Sequence, residues 1–470
     1  MSKDAAKKLA ARNAARSHRP TGNKFVKYIG SSWAAPDNKL PKQDAVAPFA
    51  AERRAKVAKA FKGHVVVIEA GEEKVRSNDT GYRFRPHSAF AHLTGWGSAT
   101  VPGSVLVIDA RKGAAKVTLY FRETAGRNTD EFFANSQIGE FWVGSRPGLA
   151  QVASLLDIKT KSLSKLHKDL KEIEKKKIVT LEKSTKLVEF VSELRLVKDS
   201  YEIAEMKKSV AASIKGFESV VKNLKDATKH PKGERIVEGA FFSQARAEGN
   251  DLGYETIAAA GEHACTLHWI INDGPVKPGE LLLLDAGVEV DSLYTADVTR
   301  TLPINGKFSK IQKEIYLAVL EAADAVFAIA KPGVTYSQMH KTAMAVIAKK
   351  TAEWGFFKGT AEESLEQDNQ WHRRWMIHGT GHHLGLDVHD CAQARREMYH
   401  DAVLEEGMIF TIEPGLYFHK DDLLVPKEFR GIGVRIEDDV LVTKTGVTNL
   451  TGKLPRKPEE IEAWMAKLQA

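Results

Sequence analysis

Short β-branched and leucine-rich runs alternate along this chain with stretches of helical periodicity, a pattern that predicts an α/β (α+β) protein. "HVVVIEAG" (64–71), "SVLVIDA" (104–110) and "KVTLYF" (116–121) are apolar runs bounded by Gly, Pro or charged residues, the signature of strands. The lysine-rich "KSLSKLHKDLKEIEKKK" (161–177) reads as one exposed helix. A new amphipathic helix begins within 195–209 and marks a boundary. Ser309 is placed to cap a helix whose apolar positions Ile311, Ile315, Ala318, Ala322, Val326 and Ile329 keep helical spacing until Pro332-Gly333. A second such helix stops at Gly355, and "ELLLLDAGVEV", "YTADVTRTLPI", "GMIFTIEPGLYF" and "GVRIEDDVLVT" supply strands before and after the pair. The expected organisation is a flexible basic tail (1–28), an N-terminal α/β domain (29–190) and a larger C-terminal domain (195–470).

Composition narrows the function classes. The net charge of +8 suggests nucleic acid, but residues 1–28 hold eight Lys and Arg against Asp4 alone. The body of the protein is therefore close to neutral, and no nucleic-acid partner is expected. No apolar run approaches the length of a bilayer span, and the N-terminus has no apolar core, so no membrane association is expected. Two cysteines, Cys265 and Cys391, cannot build a disulfide framework; a cytoplasmic setting is the expectation.

The candidate chemistry lies in the C-terminal half. "HGTGHHLGLDVHD" (378–390) holds four histidines, His378, His382, His383 and His389. Glycines between His378 and His382 oppose a helix, and no glutamate follows the first histidine, so the helical zinc-protease motif is excluded. At most one or two of these histidines would ligate a metal, with partners from elsewhere. Asp285 closes "LLLLD", Asp297 follows in "YTADVTRT", and an intervening hairpin would set the two side by side. Glu413 follows an apolar run, and the strand period puts Arg435 and Glu437 on one face of "GVRIEDD". Burying four such acids unpaired would cost several kcal/mol each. Two divalent cations would balance their charge, and one imidazole would complete the set. Oxygen ligands favour Mn²⁺ or Mg²⁺, while a histidine admits Co²⁺, Fe²⁺ or Zn²⁺. Two ions roughly 3.5 Å apart can share a hydroxide and polarise a carbonyl, which suits hydrolysis.

"LLLLDAGVEV", "YTADVTRTLP", "HGTGHHLGLDVHD", "TIEPGLY" and "GVRIEDDV" together resemble the dinuclear metallopeptidases of the pita-bread fold, the family of Xaa-Pro aminopeptidase (aminopeptidase P) and prolidase. The resemblance covers roughly 255–445, and "FRPHSAFAHLTGW" and "FWVGSRPGL" extend it more loosely into a creatinase/prolidase-like N-terminal domain. It implies a pita-bread catalytic domain holding two metal ions, Mn²⁺ foremost, through Asp285, Asp297, His382, Glu413 and Glu437. Asp285 would chelate one ion, His382 and Glu413 the other, with Asp297 and Glu437 bridging. Glu413 would also shuttle the proton, and His389 and His268 would hydrogen-bond the substrate and the tetrahedral intermediate. His378 would border a proline pocket, Arg435 would face the substrate's C-terminal side, and Tyr254 would stand near the metals. His383 receives no role. The implied activity is hydrolysis of the bond between an N-terminal residue and a following proline in peptides, by a homodimer or homotetramer. The alternatives are prolidase, restricted to dipeptides, and a non-catalytic pita-bread binding protein, against which the intact ligand set argues.

Overall fold

The β-branched runs of the N-terminal half do form strands, because alternate side chains can enter one core while the backbone is satisfied in ladders. The computed structural model describes residues 22–78 and 80–470. Of the basic tail, residues 1–21 lie outside the described residues; Asn23–Ile29 form a short helix, α1. The chain divides into two compact units at Leu187/Val188. The first is built on a five-stranded sheet of β1 (Val65–Glu69), β2 (Val105–Asp109), β3 (Lys116–Phe121), β4 (Lys159–Ser162) and β5 (Ile178–Thr180), in the order β4-β3-β2-β1-β5. The β1–β2 and β2–β3 pairs are antiparallel, whereas β3–β4 and β1–β5 are parallel.

One expected element is corrected here. The 161–177 segment is not a single exposed helix: its start belongs to β4, and a 3₁₀ turn (Leu163–Lys165), a short helix (Leu166–Lys171) and a second turn (Lys175–Lys177) follow. The open edge of β3 captures Lys159–Ser162 as a parallel partner. Leu163, Leu166, Leu170 and Ile173 then pack against Val65, Val67, Val105, Val107 and Tyr120. Tertiary pairing thus overrides a helix-forming composition.

The second unit opens with α2 (Ser200–Ala227), whose N-cap Asp199 and Glu202 form a reciprocal capping box. It packs on α3 (Gly233–Glu248) through a T-shaped Phe217–Phe241 contact. A Cβ at Gly216 would run into the Phe241 ring, so glycine there lets the two helices close. Next come β6 (Ile257–Ala260), β7 (Leu281–Asp285) and β8 (Thr299–Pro303), an antiparallel sheet in the order β8-β7-β6. Ser309 caps α4 (Lys310–Ile329), and α5 (Tyr336–Glu353) follows, as the apolar spacing predicts.

The C-terminal strands are β9 (Ile409–Ile412), β10 (Gly415–Phe418), β11 (Ile432–Arg435), β12 (Asp438–Val442) and β13 (Val447–Asn449), followed by α6 (Pro458–Gln469). β9 pairs antiparallel with β12, and β10 with β11. Each expected strand, "MIFTIEPGLYF" and "GVRIEDDVLV", is therefore two strands with a break, at Glu413-Pro414 and at Ile436-Glu437. The registers Ile412↔Asp438 and Gly415↔Arg435 place Glu413 opposite Glu437 inside that shared interruption. Pro414 cannot donate to a ladder, which fits the break. β8 lies alongside: the Thr301 hydroxyl accepts from Arg435 N and donates to its carbonyl, and Glu437 N donates to Thr299 O.

One buried ion cluster anchors the histidine segment. Asp390 accepts from Arg195 Nε at 2.9 Å and from Lys198 Nζ at 3.3 Å, all three side chains being nearly inaccessible. Burial by itself would raise the Asp390 carboxyl, but the two cations hold it down at about 2. We predict that Asp390→Ala destabilises the fold by about 3–5 kcal/mol at pH 7, because Lys198 loses its carboxylate partner while buried and Arg195 keeps only the longer ion pair with Asp387. A depressed carboxylate contributes fully above its unfolded value of about 3.9, so the gap between wild type and variant should close as pH falls through about 2. Urea denaturation across pH 2–7 measures this; a gap that stays constant with pH contradicts it.

Candidate metal centre

Asp285, Asp297, Glu413 and Glu437 reach one cavity of about 540 Å³ from four different chain segments, each delivered at or next to the end or interruption of a strand. Asp285 is the last residue of β7 and Asp297 sits two residues before β8, so the expected side-by-side placement holds. The Tyr254 hydroxyl lies 2.6 Å from Asp285 Oδ1 and 2.5 Å from Asp297 Oδ1. A phenol has one proton to give, so it cannot neutralise both contacts. Glu413 and Glu437 come from the paired break described above.

His382 arrives on a loop laid along β9. Thr411 N donates to the His382 carbonyl and Glu413 N to that of Thr380. A Cβ at Gly381 would collide with the Thr411 carbonyl, so the glycine allows this approach. His382 Nδ1 faces the His383 carbonyl at 3.1 Å and must donate to it, so Nε2 is the ring nitrogen aimed inward. Nε2 lies 3.2 Å from Asp297 Oδ2, 3.7 Å from Glu413 Oε1 and 4.0 Å from Glu437 Oε1. Ligand atoms of Asp297, His382 and Glu437 all fall within 4.8 Å of one another.

The electrostatics of this cluster are unresolved by protein groups alone. Burial, then Asp297 and Glu413, push Glu437 far above the usual carboxylate range. Burial also takes Glu413 up to about 7, with Asp297 adding to it and His382 opposing it. Asp285 is raised by burial although Arg435 donates to its Oδ2 at 2.5 Å. Burial alone would lower His382, yet Asp297 and Glu413 hold it near 9. Glu437 Oε2 accepts from the Thr299 hydroxyl at 2.7 Å, while its Oε1 is buried with no hydrogen-bond partner. A buried, unpartnered carboxylate oxygen beside three further acids and one inward-facing imidazole nitrogen fits a divalent-cation site in donor type and in charge.

All ten residues singled out from the sequence line this cavity: Tyr254, His268, Asp285, Asp297, His378, His382, His389, Glu413, Arg435 and Glu437. His389 packs its ring edge-to-face with His382, centroids 4.4 Å apart, and burial followed by His382 lowers its basicity. His378 is pushed down to about 3 by burial and Arg435, and is thus a neutral imidazole. His383, given no role, is buried against Tyr336 and Tyr399 and stays outside the cavity lining.

Three contributors escaped the sequence reading. The Tyr417 hydroxyl joins His378 Nε2 at 2.8 Å to Arg435 Nη1 at 3.0 Å. Asp439 accepts from Asp297 N, and Thr299 holds Glu437. Only the Tyr417 signal was within reach, since the strand period puts it on the same side of β10 as Gly415, the residue paired with Arg435.

Glu413 near 7 gives a test of cation binding. At pH 7 about half of it is protonated, and a bound cation would expel that proton. We predict net proton release when Mn²⁺ is added to chelator-stripped protein, from Glu413 near neutrality and from the His382 imidazolium, declining only above about pH 9. Calorimetry in buffers of different ionisation enthalpy measures it, and proton uptake would contradict it.

Comparison with known proteins agrees with this geometry. Residues 204–444 match metallopeptidase family M24, and residues 50–180 match the aminopeptidase P N-terminal domain. Xaa-Pro aminopeptidase 1 of Streptomyces coelicolor is 48% identical over 465 residues, covering 95% of this chain and 93% of the relative. A variant of Escherichia coli aminopeptidase P has the same fold, with a TM-score of 0.79 at 29% identity over 91% of this chain and all of that one. A second variant of that enzyme, solved in complex with substrate, gives 0.78 at 27% identity, again over 91% and 100% of the two chains. The chain belongs to metallopeptidase family M24 and, within it, to the pita-bread-fold Xaa-Pro aminopeptidases.

Proposed function

We propose that this protein is a metal-dependent exopeptidase that hydrolyses the bond between an N-terminal residue and a following proline. The observation carrying the reading is the crowding of Asp285, Asp297, Glu413 and Glu437 around His382 Nε2 in one cavity. The five are assigned as ligands of two divalent ions, and four oxygen donors to one nitrogen favour Mn²⁺. When bound, such ions make water nucleophilic at neutral pH and polarise the scissile carbonyl.

The chain's own residues do the rest. Glu413 takes a proton from the attacking water and delivers it to the departing proline nitrogen. The water oxygen bonds to the carbonyl carbon as the carbon–nitrogen bond breaks. His389 and His268 donate hydrogen bonds to the substrate, including the oxygen on which negative charge develops. Proline carries no N–H, so a peptidase that clamps backbone donors loses a contact there. His378, Arg435 and Tyr254 are assigned to the substrate side, with His378 bordering the ring and held by Tyr417. The reading extends to a cytoplasmic homodimer or homotetramer, the buried free thiols Cys265 and Cys391 suiting a reducing compartment. No helix among the described residues is long and apolar enough to cross a membrane.

We expect Glu413→Ala and Asp285→Ala each to lower kcat/KM on Xaa-Pro-Xaa peptides by roughly 10³-fold or more, in chains that still unfold cooperatively. Chelation should abolish turnover, and Mn²⁺ should restore it. Full activity of either variant would refute the mechanism, and cleavage confined to Xaa-Pro dipeptides would replace aminopeptidase by prolidase.

A further inference from the structure

The segment between β6 and β7 contributes Leu267, His268 and Ile270 to the cavity, yet past a 3₁₀ turn at Gly261–Cys265 it has no regular structure. Its conformation is fixed from outside the cavity by Glu234, in the first turn of α3. Glu234 is fully buried, and no Lys or Arg pairs with it among the described residues. Its carboxylate accepts four N–H bonds instead. Oε1 takes Ala260 N and His263 Nδ1, both at 2.8 Å; Oε2 takes Trp269 Nε1 at 2.9 Å and Gly274 N at 2.7 Å. Glu234 N in turn donates to Gly274 O. One carboxylate therefore holds both ends of the 261–274 segment and its middle.

The geometry around this carboxylate leaves little slack. The His263 and Trp269 rings stack at 3.9 Å between centroids. A Cβ at Gly274 would press on the His263 ring and on Glu234 Oε2. Trp269 stands between His268 and Ile270, so anchoring its indole to Glu234 turns both neighbours toward the cavity. Ile270 N closes a tight turn on the His268 carbonyl at 3.0 Å. Asn272, also fully buried, reinforces the anchor through Ala258 N and Thr256 O.

We propose that Glu234 is a positioning residue of the peptidase site: through Trp269 it aims His268 and Ile270 at the bound peptide. The proposal rests on the reading of His268 as a substrate-facing imidazole. Glutamine cannot replace it, since its NH₂ would be turned against two N–H donors on one side.

The test uses the Mn²⁺-loaded full chain with Xaa-Pro-Xaa tripeptides and the variants Glu234→Gln, Trp269→Phe and His268→Ala. Glu234→Gln should lower kcat/KM by about tenfold or more, leave Mn²⁺ affinity by calorimetry within about twofold, and speed amide exchange across 261–274. Trp269→Phe keeps the ring and loses one bond; it should give a smaller loss in the same direction, and it carries the test should Glu234→Gln not fold. In a double-mutant cycle, His268→Ala should cost about tenfold or more in the wild-type background but less than about twofold beside Glu234→Gln. Additive losses, an unchanged kcat/KM, or a matching loss of Mn²⁺ affinity would overturn the proposal. A fully active His268→Ala enzyme beside an impaired Glu234→Gln enzyme would instead strike the role given to His268, and this route with it. Activity surviving in Asp285→Ala reports separately on the metallopeptidase reading.

Discussion

Like charges crowded together at the buried end of one cavity are the constraint around which this structure is organised. Two unit charges about 4 Å apart repel by roughly 4 kcal/mol at the effective dielectric of a protein. Here Asp285, Asp297, Glu413 and Glu437 converge, with Arg435 and the His382 imidazole the nearest cationic groups in the lining. Directly opposed acids on neighbouring strands are destabilising, and the register sets Glu413 against Glu437. A fold keeps such an arrangement when a cation repays it, so a cluster costly on protein groups alone is one suited to metal.

The scaffold holds these groups by rigid means. Every carboxylate is carried at a strand end or at the shared break in the C-terminal ladder, where a side chain can leave the sheet while its backbone stays paired. The imidazole side rests on Gly381, which lets the 379–382 loop approach β9, and on the buried Asp390 cluster that follows His389. The segment carrying His268 has neither a ladder nor a helix, and a buried carboxylate with four N–H donors replaces them. Ladder, ion cluster and carboxylate are three solutions to one problem, that of fixing side chains tightly enough for chemistry.

Family membership and physical reading meet at the same residues but carry different information. The match over 204–444 and the 48% identical relative bring the name of a reaction. The geometry accounts for why that reaction suits this chain: a carboxylate at Glu413 placed in the cavity to move a proton, neutral imidazoles at His378 and His389, and a donor set matched to hard divalent ions.

Much was legible in the sequence because its signals are local. Acids ending apolar runs are costly enough to stand out, which is why Asp285, Asp297, Glu413 and Glu437 could be picked before any fold was known. The helix cap at Ser309 is likewise short-range and forms as the spacing implies. The helix expected over 161–177 was misread because the open edge of β3, more than thirty residues away, decided its first residues. Thr299, Asp439 and Glu234 were not legible, since each is an ordinary residue until a partner from a distant segment meets it. Sequence determined which side chains could not be buried without compensation, because that cost belongs to the residue itself. Tertiary structure alone decided their distances, their partners and the buried carboxylate that holds the substrate-facing segment, because hydrogen bonds and Coulomb energies depend on separations of a few ångströms that no linear spacing encodes.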